Sequence, residues 1–390
     1  MLLLKNCLLS NMADIWEEET AILIENGKIK EIGKNLNAPD AEVIDAKGRI
    51  VTPGLIDSHC HTGTEDTGTD AAGDVNETTN PALAGLRIID ALHFYDKSFE
   101  TALRTGVTTV VTGPGSANII GGTFAAIKTY YGDLNQRVIN PEICMKMALG
   151  ENPKLNYGKR SKAPSTRMMN AAIMREQLFL AKQYREKWLE YNEKIEKGEN
   201  PPEFKFDIHK HSLMRVFDGM LVKIHCHQSD DIITAMRIAS EFNLRYTLDH
   251  CTEGYLITDE LKQYNPMCIL GPVFGGKSKL ELRSKSFKGA GILEENGIFF
   301  SIATDHPVIP HDTLLIQAAL MVKNGLSRKA ALKALTVNAA ISTDIADRVG
   351  TIEPGKDADI VIWQEDPILS VGDPEMVIID GEIRYQRGEQ

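Results

Sequence analysis

Eight short apolar runs, separated by helical stretches and polar loops, fill the middle of the chain and restrict its fold more than any other feature. They are Leu55 to His61, Val107 to Thr112, Phe124 to Thr129, Ile143 to Gly150, Leu221 to His227, Tyr246 to His250, Met267 to Leu270 and Phe299 to Thr304. Runs this short and this apolar suit strands covered on both faces, and parallel strands need helical crossovers to join them. Eight parallel strands predict an α/β fold closed into a (β/α)₈ TIM barrel. A doubly wound sheet is the alternative, although no G-x-G-x-x-G opens its first crossover.

Both ends of the chain have a different texture. The first fifty residues alternate apolar and polar side chains, as in Thr20 to Glu25, and break at Asn26-Gly27 and Lys47-Gly48. Ala358 to Trp363 and Met376 to Ile379 repeat the pattern, with a turn at Asp380-Gly381. The expected organisation is a small β-sandwich composed of residues 1–52 and 346–390, around a barrel of residues 53–345. Two segments interrupt the barrel. Thr64 to Asn80 carries five acids (Glu65, Asp66, Asp70, Asp74, Glu77) and no base, and is expected to be a loop. Glu151 to Arg215 has 14 Lys/Arg against 9 Asp/Glu, and its Leu180, Tyr184, Trp188, Tyr191 and Ile195 follow helical spacing. That stripe is expected to pack on the body of the protein.

Charge narrows the function classes. The chain of 390 residues has 43 Lys plus Arg against 54 Asp plus Glu, a net charge of −11, which argues against nucleic acid as a partner. No apolar run reaches the roughly 18 residues of a spanning helix, so no membrane partner is expected. Met-Leu-Leu-Leu-Lys-Asn-Cys is too short an apolar start for a secretory signal. Six cysteines without a CxxC pair fit reduced thiols, and the expected location is cytoplasmic. Three of them, Cys60, Cys226 and Cys251, adjoin histidines.

The histidines lie at strand ends. In Leu-Ile-Asp-Ser-His-Cys-His, period-2 alternation puts Asp57, His59 and His61 on one face and Ile56, Ser58 and Cys60 on the other. Leu-Val-Lys-Ile-His-Cys-His repeats this with His225 and His227, while His250 and Asp305 close two further runs. Barrel sites form at the C-terminal ends of the strands. Imidazoles and a carboxylate converging there suit a divalent ion, foremost Zn²⁺, at one or two per chain. The cysteines are expected to point outward as small apolar residues.

Val51-Thr-Pro-Gly-Leu-Ile-Asp-Ser-His-Cys-His61 resembles the entry strand of the amidohydrolase superfamily, and Gly350-Thr-Ile-Glu-Pro-Gly-Lys-Asp-Ala-Asp-Ile-Val-Ile-Trp363 resembles the strand that re-enters that family's small sandwich. The likeness extends over essentially the whole chain, with Val222 to Ile232 most similar to the imidazolonepropionase and dipeptidase-like branch. It implies a metal-dependent hydrolase in which His59, His61, His225 and His250 are ligands. It also implies that Asp305 binds metal and takes a proton from the attacking water.

On the fourth strand the family places a bridging anion, a carboxylated lysine or a glutamate. Glu151 is the favoured ligand, at the strand's C-terminal edge; Lys146 is the alternative, since the two differ in strand parity. The family's ring-protonating acid would fall at Gln228, which cannot transfer a proton in this way. Hydrolysis of an amide, peptide-like or cyclic amide bond of a small molecule is therefore expected ahead of deamination or imidazolone-type ring opening. A silent barrel scaffold is the non-enzyme alternative. His227 is a candidate for orienting substrate or bonding its oxyanion. His209 and His211 are expected in solvent, and Lys154, Lys159, Arg160 and Arg167 are candidates for a substrate carboxylate. A homo-oligomer is compatible with all of this.

Overall fold

The structure, a computed structural model, describes residues 1–10, 17–64, 73–277 and 279–388. Glu65, Asp66 and Asp70 lie outside the described residues.

Five strands come first: β1 (Leu2–Leu9), β2 (Glu17–Glu25), β3 (Lys28–Gly33), β4 (Glu42–Asp45) and β5 (Ile50–Pro53). After the barrel, β14 (Ile360–Trp363), β15 (Pro374–Ile379) and β16 (Glu382–Gln386) join them in one eight-stranded sheet, in the order β16-β15-β14-β5-β1-β2-β3 with β4 beside β1. The union of the two ends is made by β5 and β14, which pair antiparallel from Ile50↔Trp363 to Pro53↔Ile360. Alternate side chains from both ends share one core, including Leu4, Ile22, Ile24, Val51, Ile360 and Ile378.

The second sheet runs β6 (Leu55–Cys60), β7 (Val107–Thr112), β8 (Ile120–Lys128), β9 (Val138–Ala148), β10 (Leu221–Cys226), β11 (Tyr246–His250), β12 (Met267–Leu270) and β13 (Phe300–Ile302), each hydrogen-bonded to the next. Bonds between Ser58 and Ser301 hydroxyls (3.0 Å), from Asp305 N–H to His59 C=O (2.9 Å) and from His61 N–H to His306 C=O (2.7 Å) draw its first and last strands together. All eight expected runs are strands.

One expectation fails. The third strand, β8, is antiparallel to both β7 and β9, so the barrel has one reversed strand rather than eight parallel ones. The connections explain this: only short links separate β7, β8 and β9, whereas a parallel crossover needs a dozen or more residues. Reversal carries the end of β8 to the end of the barrel where β7 begins, Thr109 pairing with Lys128. There the buried Lys128 ammonium meets Asp359 (2.5 Å) and Asp357 (3.1 Å), joining the barrel to the terminal sheet.

The insertion Glu151 to Arg215 is helical, with helices Glu151–Gly158, Arg167–Glu196 and Ile208–Met214. Thr166 caps the long helix by accepting from Met169 N–H. The expected stripe does not pack on the barrel, which the long helix meets instead through Ile173, Met174, Leu178 and Ala181; Tyr184 is buried against Phe204 and His211 of the insertion, and Ile195 is 48% exposed. Trp188 and Tyr191 instead pack on Phe204, and Trp188 on His211, all within the insertion. Nor is His209 in solvent, because its Nδ1 accepts the Gly85 N–H at 3.0 Å. Among the described residues no helix is long and apolar enough to cross a membrane.

Candidate metal centre

The strand ends deliver five imidazoles to one end of the barrel. The His59 ring centroid is 5.5 Å from that of His61 and 5.1 Å from that of His250, and His250 lies 4.5 Å from His225 and 4.7 Å from His227. Two groups have ligand atoms within 4.8 Å of one another: His59 with His250 and Asp305, and His225 with His227 and His250. His250 belongs to both. His61 adjoins the first group, its Nε2 standing 3.1 Å from Asp305 Oδ1.

Three of these rings, those of His59, His61 and His250, are held by Nδ1. His61 Nδ1 lies 2.7 Å from the Gly113 carbonyl and His250 Nδ1 2.7 Å from the Gly271 carbonyl. A carbonyl only accepts, so both rings carry their proton on Nδ1 and turn an Nε2 lone pair inward. His59 Nδ1 meets the Asp249 carboxylate at 2.6 Å, the arrangement that orients metal-ligating imidazoles. These orientations, with Asp305 beside them, fit a bound divalent ion.

Burial holds the rings of His59, His225, His227 and His250 below the usual imidazole range. The Lys146 charge adds to this at His59, and neighbouring imidazoles add to it at His225. Neutral imidazole is the form that binds metal. Stability should follow from the same burial. A group whose folded pKa is depressed stabilises the fold above its unfolded value, near 6.5, and that contribution is lost as pH falls below it. Metal-free protein is expected to show a falling Tm between pH 7 and pH 5, each imidazole contributing at most about 1.4 kcal/mol per pH unit. A Tm that stays flat over that interval in thermal denaturation would contradict neutral burial.

Backbone strain adds detail that alternation does not supply. His250, Cys251 and Asp305 adopt left-handed backbone, with φ of 72°, 42° and 57°. Such strain persists only where the surroundings enforce it. At His250 the departure from regular strand lets successive residues serve one site, Asp249 gripping His59 while His250 joins both donor groups. Gly271 supplies the carbonyl that holds His250 and has φ of 118°; an added Cβ there would stand 2.2 Å from the Ala303 carbonyl oxygen.

Sequence reasoning missed the supports. Asp249 also takes bonds from Thr247 Oγ1 (2.7 Å) and Lys223 Nζ (3.3 Å), so a buried Lys–Asp pair lies beneath His59. Period-2 spacing contained the signal, because Lys223 shares a face with His225 and Thr247 with Asp249. Asp57 lies on the expected face, but its carboxylate is occupied by Thr304 and by His311 Nδ1 at 2.9 Å.

The fourth strand departs from the preferred reading. Lys146 is fully buried, with Nζ 3.4 Å from His59 Nε2. Burial draws its ammonium down to about 8. Glu151 begins the helix after β9, where its N–H donates to Glu281 at 2.9 Å. Among the described residues no hydrogen bond or ion pair ties the Glu151 side chain to the imidazoles, and Glu151 is absent from both donor groups. Lys146 thus replaces it as the fourth-strand neighbour of the site, because parity turns Lys146 inward before Gly150 ends the strand.

The arginines expected to meet substrate have partners already. Arg160 donates to Thr78 Oγ1 at 2.8 Å, and Arg167 to Asp231 at 2.9 Å and to Gln228. All six cysteines are buried and unpaired, and burial pushes the thiols of Cys7 and Cys144 up to about 12. Such thiols are packing groups rather than metal ligands.

Comparison with known proteins gives the family. The amidohydrolase family model matches residues 50–384. This chain belongs to the amidohydrolase family. Amidohydrolase tasK of Hapsidospora irregularis is 28% identical over 400 residues, covering 93% of the chain. The chain spans only 40% of that relative's length. Imidazolonepropionase of Thermoplasma acidophilum is 25% identical over 396 residues, 95% of this chain and 90% of that protein. The crystal structure of an amidohydrolase from Thermotoga maritima superposes with a TM-score of 0.93 at 34% identity, over 99% of this chain and all of the other.

Proposed function

We propose that the protein is a metal-dependent amidohydrolase that hydrolyses a C–N bond (amide, peptide-like or cyclic amide) in a small molecule. The observation that carries this reading is His250 shared between two donor groups, its Nδ1 held by the Gly271 carbonyl. A divalent ion, most simply Zn²⁺, supplies Lewis acidity and lowers the pKa of water when bound. His59, His61, His225 and His250 would hold it by nitrogen and Asp305 by oxygen. Asp305 is also the general base: its Oδ1, 3.1 Å from His61 Nε2, accepts a proton from the attacking water and passes it to the leaving nitrogen. His227, fixed by Thr252 Oγ1 at 2.8 Å, has its Nε2 available to orient the substrate carbonyl.

Lys146 is the proposed fourth-strand ligand after carboxylation of its amine, with Glu151 as the alternative. A lysine titrating near 8 offers neutral amine for reaction with carbon dioxide at physiological pH. Lys146→Ala is expected to lose most activity and to regain part of it with added acetate, while Glu151→Gln keeps its metal. The reverse result, by metal analysis and rate, would give the position to Glu151. In this reading residues 1–52 and 346–390 form a composite β-sandwich and residues 53–345 the catalytic barrel. Metal analysis of the purified protein, with turnover of N-acyl amino acids, dipeptides and cyclic amides, tests the whole. Ammonia released from a purine or pyrimidine would favour a deaminase instead.

A further inference from the structure

Two lysines in the loop after β12 remain without a role. Lys285 is half-buried, lines one cavity with His250, and donates from Nζ to the Phe274 carbonyl at 3.0 Å. Among the described residues it makes no ion pair; the carboxylate whose charge acts on it is that of Asp305 in the metal centre. Burying an ammonium without a counter-ion is costly, and an arriving anion relieves that cost. Lys279 lies nearer His225 and His227. Its Nζ bonds Asn152 Oδ1, whose amide nitrogen is 3.4 Å from His225 Nε2, and it lies 4.0 Å from Glu281, which is 3.8 Å from His227. Both lysine charges act on the His227 ring. The two cations therefore both lie near the His225–His227 half of the site, while Arg160 and Arg167 are paired elsewhere.

We propose that Lys279 and Lys285 bind a carboxylate of the substrate, so that this enzyme acts on small anionic amides of the N-acyl amino acid or dipeptide type. The proposal rests on the amidohydrolase reading for the bond cleaved, but not for the anion bound. The cavity beside Lys285 has apolar walls, among them Leu270, Pro272, Val273, Leu293 and Met321.

The test compares N-acetyl-L-leucine with N-(3-methylbutyl)acetamide, the same amide without the carboxyl group. Binding is read by calorimetry on zinc-loaded Asp305→Asn protein, in which turnover is suppressed, alone and combined with Lys285→Met, Lys279→Met or Lys285→Arg. The acid should bind at least about tenfold more tightly than its neutral analogue, a difference of about 1.4 kcal/mol. Either methionine variant should erase that advantage with the neutral analogue unchanged, and Lys285→Arg should restore part of it. Equal affinity for both probes in the parent, or a loss shared by both probes in the lysine variants, overturns the proposal. Failure of the unmodified, zinc-loaded enzyme to cleave any such amide counts against the hydrolase reading alone, because binding is measured without turnover.

Discussion

His250→Ala is expected to reduce metal affinity by more than about a hundredfold, since even changes to groups behind a ligand cost ten- to a hundredfold, and to remove activity at ordinary metal concentrations. The imidazole is common to both donor groups, so its loss leaves neither complete. Neither His59 nor His61 can move into its place. His59 is fixed by Asp249 at 2.6 Å and His61 by the Gly113 carbonyl at 2.7 Å. Metal content by elemental analysis and rate by product release both read the effect, and circular dichroism checks that the barrel is intact. Full metal content with full activity in a folded variant would remove the proposed centre.

Asp305→Asn carries the second large effect and isolates proton transfer from metal binding. The amide keeps the shape of the carboxylate and an oxygen that can face the ion, but it cannot accept a proton at neutral pH. Loss of a positioned general base costs about 10²- to 10⁴-fold. The expected result is a fall of that size in kcat at saturating zinc, with the variant still folded and still binding metal. The left-handed backbone at Asp305, φ 57°, favours the choice of asparagine, which tolerates that region better than most residues. A kcat within tenfold of the parent would transfer the role of base to another group, His227 being the nearest candidate.

The two outcomes separate the parts of the site. His250→Ala acts through metal occupancy, so added zinc should recover some rate. Asp305→Asn acts through the proton, so zinc should not. Fine positioning beneath the ligands is a third element. Asp249 holds His59, and Lys223 both neutralises Asp249 and donates to the Ser58 carbonyl at 3.1 Å, which ties the ligand-bearing strand β6 to β10.

How much of this was legible in the sequence depended on whether the determining forces were local. Strand periodicity is local, and it placed His59 and His61, and again His225 and His227, on single faces ending at the barrel mouth. The alternating ends, cut by Asn-Gly and Asp-Gly turns, marked the terminal sheet for the same reason. Burial explained the cysteines, whose thiols flank the ligands without joining them. Three-dimensional pairing decided the rest. Direction in the sheet is set by connection length and by partners such as Asp359, 231 residues from Lys128, so β8 could run backward without any change in its own pattern. That Lys146 approaches His59 while Glu151 begins the next helix depended on where β9 stops. Arg160 and Arg167 looked free because their partners, Thr78 and Asp231, are distant in sequence, and Lys279 and Lys285 gained a site only when the loop after β12 folded over the imidazoles. The sequence alone determined which residues of one strand share a face, because alternation is a property of one strand. Only the tertiary structure decided which charges meet, because each such contact joins strands and loops whose separation along the chain carries no record of their distance in space.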